Sequence, residues 1–224
     1  MFEDRKRIRR PRITYLLLLS LTFITALLFV IGEPFMDRIF QSFSLVPARV
    51  LRGRELHTLV TYMFLHSGFE HFALNALALL GAGIAVERDI GSESFILLFL
   101  LSGIVAGLVH CFAFPNSPTP VVGASGAIFG VIAVLCLLMP FKITFVAIFP
   151  LPAVVVGIIL GLAEAYSALY SLDPNIAHFA HLGGFAFGGL SAFIIDAERA
   201  TRGLVIAVLV YISLYLLGRW LLLL

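Results

Sequence analysis

The chain has 224 residues, of which 61% are apolar and 12% charged; 15 Lys and Arg against 13 Asp and Glu give a formal charge of +2. Soluble domains draw about a quarter of their residues from the four charged types, so a water-facing surface is excluded for most of this chain. The bilayer is then its solvent, and long unbroken apolar runs select membrane-spanning helices over a barrel, because every backbone polar group there must be bonded internally.

The run Arg5-Lys6-Arg7-Ile8-Arg9-Arg10-Pro11-Arg12 directly precedes the first apolar stretch, 13–31. Its role is topological, and it implies no nucleic-acid partner. The stretch is too long for a secretory leader and no small-x-small site follows it, so it is expected to be a retained anchor. Further apolar stretches lie at 69–86, 95–114, 124–139, 146–169, 177–195 and 204–224. The fourth is slightly short for a span of about 20 residues. In the fifth, Pro150 and Pro152 place the start of regular helix near Pro152. In the seventh, Arg219 must snorkel to an interface. Seven spans leave Arg5, Lys6, Arg7, Arg9, Arg10, Arg12, Arg88, Lys142, Arg199 and Arg202 on one side, and Arg38, Arg49, Arg52, Arg54 and Arg219 on the other. The positive-inside rule therefore puts the N-terminus in the cytoplasm. Cys111 and Cys136 sit in apolar runs without metal-ligand spacing and read as packing residues.

In this topology the second, fourth and sixth spans run inward from the external side, so their first turns share one depth. Those turns hold the polar residues of the apolar core: His66, His71 and Asn75; Gly123-Ala124-Ser125-Gly126; His178 and His181. Gly126 and Gly130, four apart, are also ordinary devices of close helix packing. His181 shares a face with Gly184 and Gly188 at i+3 and i+7, and two glycine-lined faces bring a hydroxyl within reach of an imidazole. A histidine inside a span is costly and marks a functional candidate. His178, a turn earlier, is expected to line the cavity. His71 and Asn75 project from one helix face, and both can donate hydrogen bonds to a developing oxyanion. His66 is expected to order the external loop. No His-Glu-x-x-His string occurs and no carboxylate is spaced with the histidines as a ligand, so no metal is expected. Glu164, inside the fifth span, has no assigned role. With no aspartate in a third position, a Ser125–His181 dyad is the economical reading.

Together, His66-x4-His71-x3-Asn75, Gly123-Ala124-Ser125-Gly126, Ala177-His178-x2-His181-Leu-Gly-Gly-x3-Gly and the turn Glu87-Arg88-Asp89-Ile90-Gly91-Ser92 resemble the rhomboid intramembrane proteases, over roughly 55–196. The resemblance implies an all-α polytopic bundle: a basic tail at 1–12, a six-helix core at 13–202 and an added C-terminal helix at 203–224. It implies Ser125 as nucleophile and His181 as general base, with His71, Asn75 and the backbone at Gly123 forming the oxyanion site. It implies no cofactor. The partners would be the lipid bilayer of a prokaryotic plasma membrane and transmembrane protein substrates, cut near their external ends. Lateral access would make the loop 32–68 or the fifth span the gate. Two positions depart from the family pattern: His57-Thr58 stands where a Trp-Arg pair is common, and Phe129 where a tyrosine often supports the histidine. Phe129 can still stack on the imidazole. A catalytically silent relative that escorts transmembrane clients is the alternative. A small-molecule transporter is disfavoured because no repeated half or matched pair of broken helices is present.

Overall fold

The structure is a computed structural model that describes residues 10–146, 149–170 and 176–221; positions 1–9, and with them most of the expected basic tail, lie outside the described residues. The chain opens with α1 (Arg12–Ile31). The loop that follows carries α2 (Phe35–Phe43), α3 (Pro47–Val50) and α4 (Thr58–Thr61), the last continuing into a 3₁₀ turn at Tyr62–Phe64. A single span, Phe69–Ile90, then comprises α5 (Phe69–Ala78), a π-helical turn (Leu79–Gly83) and α6 (Ile84–Ile90). After α7 (Ser92–Ala113) and α8 (Ser125–Leu138), strands β1 (Ile143–Val146) and β2 (Phe149–Pro152) pair antiparallel. The chain closes with α9 (Ala153–Tyr170), α10 (His178–Ile195) and α11 (Ala197–Leu221). Among the described residues six helices are long and apolar enough to cross a membrane, and α8 is a further, shorter apolar helix.

Helix α8 is the hub. Of its 14 residues only Ser125 and Leu137 are not buried, as befits a helix apolar on every face. It is enclosed by α7, α9, α10 and α11. Glycines bring α10 against it backbone to backbone: a Cβ at Gly184 would fall 1.9 Å from the Gly126 carbonyl oxygen, and one at Gly188 would fall 2.1 Å from that of Gly130. At about 1.5 Å per residue α8 is roughly 21 Å long, short of a hydrocarbon layer about 30 Å thick.

The two ends of the bundle are tied differently. At one end the buried Glu87 accepts hydrogen bonds from the Ile13 amide (2.9 Å), the Thr14 amide and hydroxyl (2.7 Å each) and the Ser92 hydroxyl (2.5 Å). The carboxylate thereby satisfies first-turn donors of α1 that have no partner within the helix. Nearby, Arg199 bridges both Asp89 oxygens (3.0 and 2.9 Å) and Asp196 (2.7 Å). Asp196 also accepts from the Arg199 amide (3.0 Å), an N-cap contact. This cap is why the last helix begins at Ala197 and not near 204. At the other end the loop between α1 and α5 is folded onto the segment before α8: Leu45 and Val121 exchange both backbone hydrogen bonds (3.0 and 2.8 Å), and the Ala48 amide donates to Ser117 (3.2 Å). His57, at the first position of departure, lies 2.9 Å through Nε2 from the Ser42 carbonyl, and buried Thr58 donates to the Glu55 carbonyl (2.7 Å). Local bonds thus close the loop there. The paired strands β1 and β2 precede the fifth span, and regular helix starts one residue after Pro152.

Candidate active site

The turn into α8 is set by backbone. Gly123 has φ +119°, which a side chain would rarely tolerate, and its amide donates to the Tyr62 carbonyl (2.9 Å). Tyr62 is itself buried and donates through its hydroxyl to the Gly103 carbonyl (2.7 Å). A Cβ at Gly123 would meet Cε1 and Nε2 of His71, each at 2.7 Å, so this imidazole lies directly over the Gly123 backbone. Ser125 follows as the first residue of α8.

The Ser125 hydroxyl lies 2.7 Å from Nε2 of His181, across 56 residues of sequence. The His181 ring stacks on Phe129, with centroids 4.5 Å apart and planes 8° from parallel. The expected aromatic support is present without a hydroxyl. When the serine donates to Nε2, the ring proton resides on Nδ1. Nδ1 faces Glu164, 3.0 Å from Oε1, at ion-pair distance though off the line of a good hydrogen bond. The other Glu164 oxygen, Oε2, lies 2.6 Å from Nδ1 of His178. The side chains of His178, His181 and Glu164 are 10%, 11% and 15% exposed, so the group is nearly enclosed.

The other predicted residues fall around this centre. His71 Nδ1 is 3.0 Å from the Ser67 hydroxyl, leaving Nε2 toward Gly123. Buried Asn75 donates through Nδ2 to the His71 carbonyl on its own helix (2.8 Å), and its Oδ1 has no partner among the described residues. Of the two expected oxyanion donors, His71 thus stands at the serine and Asn75 one turn behind it, with a single N–H still free. His66 does not reach the centre. It is buried, its ring nitrogens unpartnered among the described residues, packed edge-on against His71 (5.1 Å) and Phe72 (5.7 Å). Burial, reinforced by the neighbouring His71, lowers its pKa to about 4, so it is neutral at physiological pH.

Two features lay beyond the sequence reading. His110 on α7 forms part of the wall with Phe114, which meets Phe179 edge-on; its position inside a span was the available signal. The second is Glu164. The sequence offered no carboxylate spaced with the histidines, but the packing of α9 on α10 supplies one, and the ligand atoms of Glu164, His178 and His181 lie within 4.8 Å of one another. These are donor types that could hold a cation, so the expectation that no carboxylate stands with the histidines does not hold in the fold. As folded, the carboxylate meets His178 at hydrogen-bond distance and His181 at ion-pair distance.

The Rhomboid domain family model matches residues 53–198. The chain is 33% identical over 193 residues to Rhomboid protease GluP of Bacillus subtilis, an alignment covering 85% of this chain and 36% of that protein. It is 32% identical over 147 residues to RHOMBOID-like protein 4 of Arabidopsis thaliana, covering 66% and 36%. It is 38% identical over 143 residues to Rhomboid-type serine protease 2 of Emericella nidulans, covering 62% and 27%. The chain thus spans between about a quarter and a little over a third of these relatives.

Proposed function

The chain belongs to the rhomboid family and is integral to a membrane; from that premise we propose that it is an intramembrane serine endopeptidase working through a Ser125–His181 dyad. The observation that carries the reading is the 2.7 Å contact between the Ser125 hydroxyl and His181 Nε2 inside an apolar bundle. In this mechanism Ser125 Oγ attacks the scissile carbonyl while Nε2 takes its proton. The negative charge that develops on the carbonyl oxygen meets the His71 ring and the backbone amide of Ser125, with the free N–H of Asn75 behind them, while the expected amide at Gly123 is already given to the Tyr62 carbonyl. Protonated His181 then delivers its proton to the leaving amine, and water clears the acyl-enzyme.

The shortness of α8 supports the substrate class. A helix some 9 Å shorter than the hydrocarbon layer sets its first residue below the surface, within reach of a transmembrane segment that unwinds near its end. The charge distribution of the loops supports an N-terminus in the cytoplasm and a site toward the external face. The test is cleavage of a reporter transmembrane substrate, carrying helix-breaking residues near its external end, by the purified protein in liposomes. Ser125→Ala and His181→Ala should each fall to background, since loss of either partner in a soluble serine protease costs on the order of 10⁶ in rate. A folded wild-type protein that cleaves nothing and only retains such clients would establish the silent reading instead.

A further inference from the structure

An intramembrane carboxylate persists only where it is paired or functional, and Glu164 is paired twice. It projects from α9, between the two histidines of the first turn of α10, with His178 Nδ1 at 2.6 Å from Oε2 and His181 Nδ1 at 3.0 Å from Oε1. Continued through the imidazole, this is a connected row: Glu164 Oε1, His181 Nδ1, His181 Nε2, Ser125 Oγ. We propose that Glu164 is a positioning residue for the catalytic base, the third member of a Ser–His–Glu arrangement, and that His178 serves to hold the carboxylate. The proposal rests on the dyad reading and extends it to a helix that the dyad does not involve.

The physical requirement is simple. A general base must present a bare Nε2 to the serine, so its proton must stay on Nδ1, and a carboxylate opposite Nδ1 fixes that tautomer and balances the imidazolium that forms. Phe129 holds the plane of the ring by stacking but cannot choose which nitrogen carries the proton. Glu164 can. His178 donates Nδ1–H to the second oxygen, which keeps the carboxylate from turning away, so one anion faces two donors. Because Glu164 belongs to α9, the base is fully set only while α9 is seated against α10.

The test uses the full chain in liposomes and follows substrate kinetics together with the rate of covalent labelling of Ser125 by a fluorophosphonate. Glu164→Gln should lower kcat and the labelling rate roughly 10- to 100-fold, the size of one hydrogen bond to a charged group, with KM changed less than about threefold. Glu164→Asp, which retains the charge, should recover part of the loss. A tautomer readout does not depend on these variants folding well. In Ser125→Ala protein carrying ¹⁵N-labelled histidine, where the serine no longer influences the ring, His181 should still be protonated on Nδ1. A wild-type enzyme with Ser125-dependent activity whose Glu164→Gln variant turns over within twofold of it, or an Nε2–H tautomer in Ser125→Ala, overturns the proposal and leaves the dyad intact. A wild type that neither cleaves nor is labelled removes the dyad itself.

Discussion

Gly184→Ala should disable the enzyme by a calculable displacement. Gly184 follows His181 by three residues on the α10 face that meets α8, and an added Cβ would lie 1.9 Å from the carbonyl oxygen of Gly126, the residue after Ser125. Both groups are backbone, so no rotamer relieves the clash. Ordinary contact begins near 3.4 Å, and the helices must part locally by about 1.5 Å to reach it. Carried to the dyad, that stretches the 2.7 Å contact between Ser125 and His181 to about 4 Å, beyond hydrogen-bond range. A misplacement of about 1 Å costs on the order of 10² in rate, and overpacking costs about 1–3 kcal/mol in stability. Gly189→Ala on the same helix is the control, since its Cβ meets nothing within 4 Å. Thermal unfolding and fluorophosphonate labelling on both variants supply the two numbers. Labelling of Gly184→Ala within threefold of the wild type would refute the claim that this glycine contact sets the dyad distance.

His71→Ala should cost more in kcat than Asn75→Ala, roughly 10²- to 10³-fold against 10²-fold or less, because the Asn75 amide already serves the His71 carbonyl; equal losses, measured as kcat on the reporter substrate, would contradict this ordering. Glu87→Gln replaces an acceptor of four hydrogen bonds by a group that is half donor, and should lower stability by about 1–3 kcal/mol while labelling per folded molecule stays unchanged. His66 has a folded pKa of about 4 against about 6.5 in an unfolded chain, so protonation favours unfolding. Its contribution is complete above about pH 6.5 and is lost as pH falls from there toward 4, and His66→Phe should flatten melting temperature against pH across that window.

Much of this architecture is legible in residue order because the bilayer removes alternatives: an unbroken apolar run must be a helix. The same logic singles out Ser125, His181 and His71, which the helices bring together, while Phe129 is marked only by the family resemblance. It fails where partners come from tertiary packing. Glu164 lies 14 residues from His178 and 17 from His181, on a different helix, and only the seating of α9 on α10 makes it their acceptor. Asn75 shows the converse: spacing places it on the His71 face correctly, yet its amide turns to the carbonyl four residues back on its own helix. The paired strands β1 and β2 and the short helices of the first loop escape for another reason. They depend on pairings, such as Leu45 with Val121, that leave no period in the sequence.

The central claim, that Ser125 is a nucleophile activated by His181, is tested most directly by locating a covalent adduct. The detergent-purified protein is treated with a fluorophosphonate, digested, and the modified peptide sequenced by mass spectrometry. The account predicts one adduct, on Ser125, absent from Ser125→Ala and nearly absent from a folded His181→Ala variant. An adduct on another residue, labelling that survives in Ser125→Ala, or His181→Ala labelled at the wild-type rate would contradict it.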